Sequence, residues 1–329
     1  MMVLLKDSAQ FQFSALEDAT LWDGADTGIV SVFPDNAVSM LIDHREIWLM
    51  GRKASQVYWN SGTPDNPFEP IPGGFIEHGC IARSSVVRLD NSIFWLGGDE
   101  RGAGIAWRAE GYRPARISNH ATETEWQGYS TMADAVAYAY QDRGHSFYVL
   151  NFPTAGVTWV YDVATGMWAK RGFWNLLTAK YEAHLGQCHC YAFGKHLVGD
   201  RQSGKVYEMS SVFHDDAGAA IRRLRRAPHV SANGKPLFVS ELFLDLETGL
   251  GLPVGQGSDP QVMLRWSNDG AKTWSSEYKL SAGKIGEHGK RVVFRRLGMT
   301  RKTRVFEVSV TDPVPWRIAD AEIEVEVGS

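Results

Sequence analysis

Cysteine is scarce: Cys80, Cys188 and Cys190 are the only three in 329 residues. An odd count, with two of them one residue apart, excludes a disulfide framework and points to synthesis in a reducing compartment. Cys188-His189-Cys190 lacks the second ligand pair of a structural zinc site. In a strand its histidine also faces away from both thiols. No metal is expected there, and the cysteines read as a buried thiol pair. No apolar run is long enough to cross a bilayer, so no membrane insertion is expected. Met1 to Asp7 has neither a basic flank nor a small-residue cleavage site, so no signal peptide is expected. Charge of one sign is not in excess: the formal net charge of −4 excludes a generic nucleic-acid coat. Gly97, Gly98, Gly102 and Gly104 are hairpin glycines with no helix behind them, so no phosphate-cradling loop is present and no cofactor is expected. Helical spacing of apolar residues is nearly absent; the one short helix entertained lies at Trp174 to Tyr181.

Aromatics and glycine are plentiful, with 12 Trp and 33 Gly. They indicate many strands and many tight turns. The clearest stretch runs from Asp134 to Gly172. Four apolar or alternating segments lie in it: Val136 to Tyr140, Phe147 to Phe152, Thr158 to Val163 and Met167 to Lys170. Turn residues separate them at Asp142-Arg143-Gly144, Pro153 to Gly156 and Ala164-Thr165-Gly166. Tyr, Phe, Val, Thr and Trp fill the segments and suit a pleated, half-buried surface. This reads as a four-stranded antiparallel meander of one propeller blade. Tyr161-Asp162, a turn, then Trp168 is similar to the corner of kelch-type propellers, where the Asp caps the turn and the Trp covers a seam. An ordinary hairpin in a sandwich is the other reading of that spacing.

A strand, a polar turn and an aromatic strand recur along the chain. The first strands are Glu46 to Gly51, Ser92 to Gly97, Ser146 to Asn151 and Lys195 to Asp200. Their followers are Gln56 to Gly62, Gly104 to Arg108, Val157 to Tyr161 and Gly204 to Glu208. The spacing of roughly 45 to 55 residues fits propeller blades, which bury both faces by stacking around an axis. Phe11 to Leu16 alternates, and Pro34-Asp35 marks a turn. Residues 63–74 and Pro114 to Thr124 read as surface loops, and His78 to Val87 as the first strand of a blade. After Met209 the character shifts, and further strands are expected up to Val327. The fold class is therefore all-β. Residues 1–230 form four-stranded antiparallel propeller blades, and 231–329 form an all-β segment that is either sandwich-like or completes the propeller.

Ser267-Asn268-Asp269-Gly270-Ala271-Lys272-Thr273-Trp274 resembles an Asp-box, with Ala271 where the pattern has glycine. Its physics is structural: Ser267 and Asp269 bond the hairpin backbone, and Trp274 packs beneath. The box leaves open a glycan-binding or glycosidase-type, sialidase-like propeller. A retaining glycosidase needs two carboxylates about 5 Å apart. Asp23, Asp43, Asp99, Asp134, Asp162 and Asp200 instead sit beside turns, where carboxylates cap backbone groups, so no catalytic residue is assigned. His145 follows a turn glycine and reads as a hydrogen-bonded corner. Arg222, Arg223, Arg225 and Arg226 form a basic run, and a second runs from Lys290 to Arg304. These are either solvated faces with salt-bridge partners or contacts to DNA phosphates or an acidic subunit surface.

Several phrases in order carry a resemblance to a known family. They are Ser55 to Gly62, Gly73 to Cys80, Phe94 to Gly97, Pro114 to Ser118, Gly144 to Tyr148, Thr158 to Asp162, and the Asp-box-like hairpin with Gly283 to Gly286 behind it. The chain resembles the packaged-DNA stabilisation proteins, the tail hub or nozzle, of short-tailed bacteriophages, from about Phe11 onward. Its N-terminus reads as short against that pattern. The resemblance implies a propeller-containing virion protein without enzymatic activity. It also implies a hexameric ring below the portal and its adaptor that helps retain the packaged double-stranded DNA. Implied partners are other copies of itself, the portal-adaptor protein, and the tail needle or fibre protein.

Overall fold

The computed structural model describes residues 1–15, 17–30, 36–63, 66–98, 102 and 104–328. Leu16, the Pro34-Asp35 turn and Asp99 lie outside them, as do parts of the 63–74 segment and of the Gly102 to Gly104 turn. The chain divides into two units. One holds Met1–Asn175 and Lys180–Met209, the other Leu176–Ala179 and Ser210–Ser329.

The first unit is a succession of antiparallel meanders. β1 (Met2–Leu4), β2 (Gln10–Phe13) and β3 (Thr27–Ile29) form the first sheet. The second holds β4 (Ala37–Asp43), β5 (Glu46–Gly51), β6 (Ser55–Asn60) and β7 (Phe68–Ile76), paired in chain order. In the third, β8 (Val87–Leu89), β9 (Ser92–Gly98), β10 (Gly104–Glu110) and β11 (Arg113–Arg116) do the same, and helix α1 (His120–Gln127) follows. The fourth has five strands: β12 (Val136–Asp142), β13 (His145–Phe152), β14 (Val157–Asp162), β15 (Met167–Asn175) and β16 (Lys180–Ala183). β17 (Gly186–Ala192), β18 (Lys195–Asp200) and β19 (Val206–Met209) make the fifth.

The recurring apolar strands have a simple cause. Successive side chains on a strand point to opposite faces. In β9, Ile93 and Trp95 enter the core shared with the second sheet, beside Trp48, Met50 and Val57. Phe94 and Leu96 enter the next core, with Tyr148, Leu150 and Phe152 of β13. β5 does likewise: Ile47 and Leu49 pack with Phe11 and Phe13, while Trp48 and Met50 face the third sheet. A strand buried on both faces must be apolar at every position, so these read as unbroken runs.

Several expectations are corrected. The fourth sheet has a fifth strand, because Trp174 to Tyr181 is not helical: Asn175 pairs with Lys180 and Trp174 with Tyr181 across a tight turn. Residues 68–76 are the edge strand β7, not a loop; Pro70 sits opposite Tyr58 beside a bulge, at an edge where its missing N–H costs no ladder bond. Of the 78–87 stretch only Val87 lies in a strand, at the start of β8. The rest is irregular and tied down by Cys80 N–H to the Gly51 carbonyl (2.8 Å) and Ile81 N–H to the Leu96 carbonyl (3.0 Å). Pro114 to Thr124 is no loop: it runs from β11 into α1. The Asn119 side chain accepts from Thr122 N–H at 2.9 Å, and the Thr122 hydroxyl closes a capping box. Threonine stands where glutamate or glutamine usually completes that box, so the helix start was poorly marked. Cys188 and Cys190 share one strand, β17, but are exposed.

The second unit is a sandwich. β20 (Asp215–Asp216) and β21 (Ala219–Ala220) form a small ladder. Then come β22 (Arg223–Arg226), β23 (Val230–Ser231), β24 (Leu237–Leu246), β25 (Gln261–Ser267), β26 (Tyr278–Ser281), β27 (Val292–Thr300), β28 (Thr303–Val310) and β29 (Ile318–Val327). One sheet runs β22-β28-β25-β26, with β23 also on β28, and the other runs β27-β24-β29. Their inner faces share a core of Leu237, Leu242, Leu244, Val262, Leu264, Phe294, Phe306 and Val308. β22 and β23 both pair with β28, so residues 210–230 go with the sandwich and not with the preceding sheets.

Candidate functional site

Three built clusters collect the residues singled out in the sequence. At the first, Asp162 ends β14. Its carboxylate accepts from His145 Nδ1 (2.8 Å), Ala164 N–H (3.1 Å) and the Thr165 hydroxyl (2.9 Å). Burial alone would raise this carboxyl, but the bonds from His145 and Thr165 outweigh it and hold it below the usual range. His145 is thus a bonded corner. Trp168 opens the next strand and donates its indole N–H to the Ile117 carbonyl at 2.8 Å. Its ring meets Tyr161 at 5.2 Å and Trp126, on α1, edge-on at 5.3 Å. Trp126, fully buried, is the seam residue that sequence reasoning missed, because it sits on the unrecognised helix.

The second cluster is the Asp-box-like hairpin after β25. Asp269 accepts from Lys272 N–H (3.0 Å), Thr273 N–H (2.9 Å) and the Thr273 hydroxyl (2.6 Å). The Ser267 hydroxyl donates to Asp269 Oδ1 and accepts from Ala271 N–H. The Thr273 and Ser267 bonds hold the Asp269 carboxyl well below the usual carboxylate range. Trp274 closes the motif at the start of the return segment. It is partly exposed and carries the guanidinium groups of Arg226 and Arg265 over its ring, at 5.0 and 4.6 Å.

The third cluster absorbs the first basic run. Arg226 and Arg265 flank Glu307 on the two strands paired with β28, and both donate to its carboxylate, at 2.7 and 2.5 Å. Arg222 lies 3.7 Å from the same carboxylate, which is 1% exposed. Arg223 donates to the carbonyls of Asp312 and Val314. Arg225 is exposed, with no bonded partner among the described residues. Part of the second run is used in the same way. Arg304 is buried over Trp266 and donates to the Leu297 and Met299 carbonyls, and Arg295 pairs with Glu241.

The turn carboxylates do turn work. Asp23 accepts from Ala25 N–H, Asp134 from Thr154 N–H, Asp200 from Gln202 N–H, and Asp43 pairs with Arg88. Among the described residues no three His, Cys, Asp or Glu side chains are placed to hold a metal ion, and no helix is long and apolar enough to cross a membrane.

Meander sheets stacked through two-faced strands, followed by a two-sheet sandwich, define a two-unit, all-β protein: a propeller, then a sandwich. The chain belongs to the bacteriophage P22 Gp10 family. Residues 1–213 match its β-propeller and residues 222–326 its β-sandwich, a family of phage structural proteins. No curated protein sequence matches the chain. Among solved structures, an exo-β-1,3-galactanase of Phanerochaete chrysosporium is 10% identical, with 98% of this chain and 95% of that one aligned at a TM-score of 0.31. A family 43 arabinoxylan arabinofuranohydrolase of Bacillus subtilis is 12% identical over 87% of this chain and 78% of its own, with a TM-score of 0.19. Likeness at this level carries no argument about activity.

Proposed function

We propose that copies of this chain assemble as a hexameric ring below the portal and its adaptor, in the tail of the virion, and close the channel so that packaged double-stranded DNA is retained. The observation that carries this reading is the family match, which spans both units. The physical arrangement suits it. Retention under pressure needs stiffness, and strands packed on both faces give few soft degrees of freedom. The tail needle or fibre protein would meet the opposite side of the ring from the adaptor. Within the basic run, Arg225 is the side chain left to reach a phosphate or an acidic subunit surface. The edge strand β7, which shows Phe75 to solvent, is a natural place for contact between copies.

The test is addition of purified protein to filled heads that lack tails, followed by measurement of nuclease-accessible DNA. Leakage that falls with added protein supports the reading. Leakage identical with and without it overturns the reading.

A further inference from the structure

Between the fourth and fifth sheets lies a cavity of about 150 Å³, lined by Asn151, Pro153, Ala183, Gln187 and Arg201. A hydrogen-bond relay fixes what Asn151 shows it. The backbone N–H of His184 donates to the Thr158 hydroxyl at 3.1 Å. That hydroxyl donates onward to Asn151 Oδ1 at 2.7 Å. The amide oxygen therefore has its donor, while the amide nitrogen of this cavity-lining residue, 5% exposed, has no partner among the described residues. Arg201 adds a second donor. Its outer nitrogens face Glu182 Oε2 (3.6 Å) and, with the Gln202 amide turned to present its oxygen, that oxygen (3.1 Å), while its buried Nε–H has no partner among the described residues. Asp200, beside it, is bound to Gln202 and Ser203 in its own turn. Arg171, partly buried nearby, donates to the Tyr140 hydroxyl (2.7 Å) and has no carboxylate among its partners. His184, next to the lining residue Ala183, is pushed down to about 4 by burial and by the charges of Arg171 and Arg201.

We propose that this cavity binds a carboxylate group, held by the Asn151 amide N–H and the Arg201 Nε–H. Buried donors without acceptors are costly, so an acceptor is called for. Guanidinium and amide donors in one pocket match a planar pair of oxygens carrying one negative charge. The carboxylate is either a free small acid or an Asp or Glu side chain of a second copy of this chain, and the shared chemistry is the same.

The experiment titrates sodium acetate into the full-length protein at constant ionic strength. It follows the Asn151 side-chain amide and the Arg201 Nε–H by ¹H–¹⁵N correlation, with sodium chloride as control. Saturable shifts of both signals are expected with a Kd on the order of 1–10 mM, the range open to so small a ligand. Arg201→Gln should weaken binding about tenfold while leaving the unfolding midpoint nearly unchanged. Sedimentation of concentrated protein separates the sources: acetate that dissociates assemblies identifies a neighbouring copy's side chain, and acetate that binds without doing so identifies a free acid. Shifts no larger than those of chloride, or equal shifts in Arg201→Gln, would overturn the proposal and leave the cavity to water.

Discussion

Glu307 stands directly opposite Arg226 in the β22–β28 ladder, and its Oε2 accepts that guanidinium's Nε–H at 2.7 Å. Arg265 approaches from the other neighbouring strand, and Trp274 lies across both arginines. One buried carboxylate thus gathers Arg222 and Arg226 of the basic run with Arg265 of β25, the salt-bridge alternative open in the sequence. Glu307→Gln leaves the partly buried guanidinium groups of Arg222 and Arg265, and the more exposed one of Arg226, without their anion. It is expected to cost about 2–3 kcal/mol, less than a fully buried pair because the arginines keep some water. Arg225→Ala should stay within about 0.5 kcal/mol. Urea unfolding of the two variants measures the contrast; equal effects would contradict this assignment of partners.

Ala271 occupies a glycine conformation, with φ of 71°. Side chains there cost about 1–2 kcal/mol, and part of any gain from glycine is offset by its freer unfolded chain. Ala271→Gly is expected to stabilise by about 0.5–1 kcal/mol, read as a raised calorimetric midpoint of the sandwich transition. A lowered midpoint would show that the hairpin has relaxed the strain elsewhere.

Acid should loosen the first unit before it strips the turn carboxylates. His184, ordinarily near 6.5, is pushed down to about 4, mainly by burial and then by Arg171. His189 is lowered too, by burial and by His196, whose ring nitrogen lies 3.0 Å from its own. A histidine with a depressed folded pKa favours the native state when neutral. Its contribution is complete above 6.5 and falls as pH drops from there toward 4. For His184 the loss is about 3 kcal/mol across that window. Unfolding midpoints at several pH values should show it, and His184→Asn should flatten the slope. An unchanged slope would place the acid sensitivity elsewhere.

Trp126 is the seam between α1 and the fourth sheet. Trp126→Ala opens a cavity among Phe152, Trp159 and Trp168 and should cost about 3–5 kcal/mol. Trp168→Phe keeps most of the ring contact but loses the bond to Ile117, for about 1 kcal/mol. Near-ultraviolet dichroism with denaturant titration would resolve the two.

Thiol chemistry reports the fifth sheet. Cys188 and Cys190 are exposed, whereas Cys80 is buried and its thiol is raised to about 11, chiefly by burial. Two thiols should react quickly with a disulfide reagent in the native protein, and the third only on unfolding. Three fast thiols would mean that the Cys80 region opens readily.

By itself the sequence determined the all-β class, the meander from Val136 onward, the Asp162 and Asp269 turns, and the family. All of these rest on local information: period-two alternation, glycine and aspartate at turns, and apolar runs such as Ile93 to Leu96 that only a two-faced strand needs. Tertiary structure alone decided where long side chains and irregular segments went. Arg226 and Arg304 found their partners on strands or turns distant in sequence or folded back onto them. Trp126 gained its role from a helix whose start is weakly marked, and Cys188 stands exposed on β17 among the described residues. Charge and burial at such positions are set by what packs across from them, and that is a property of pairing and register that residue order does not display.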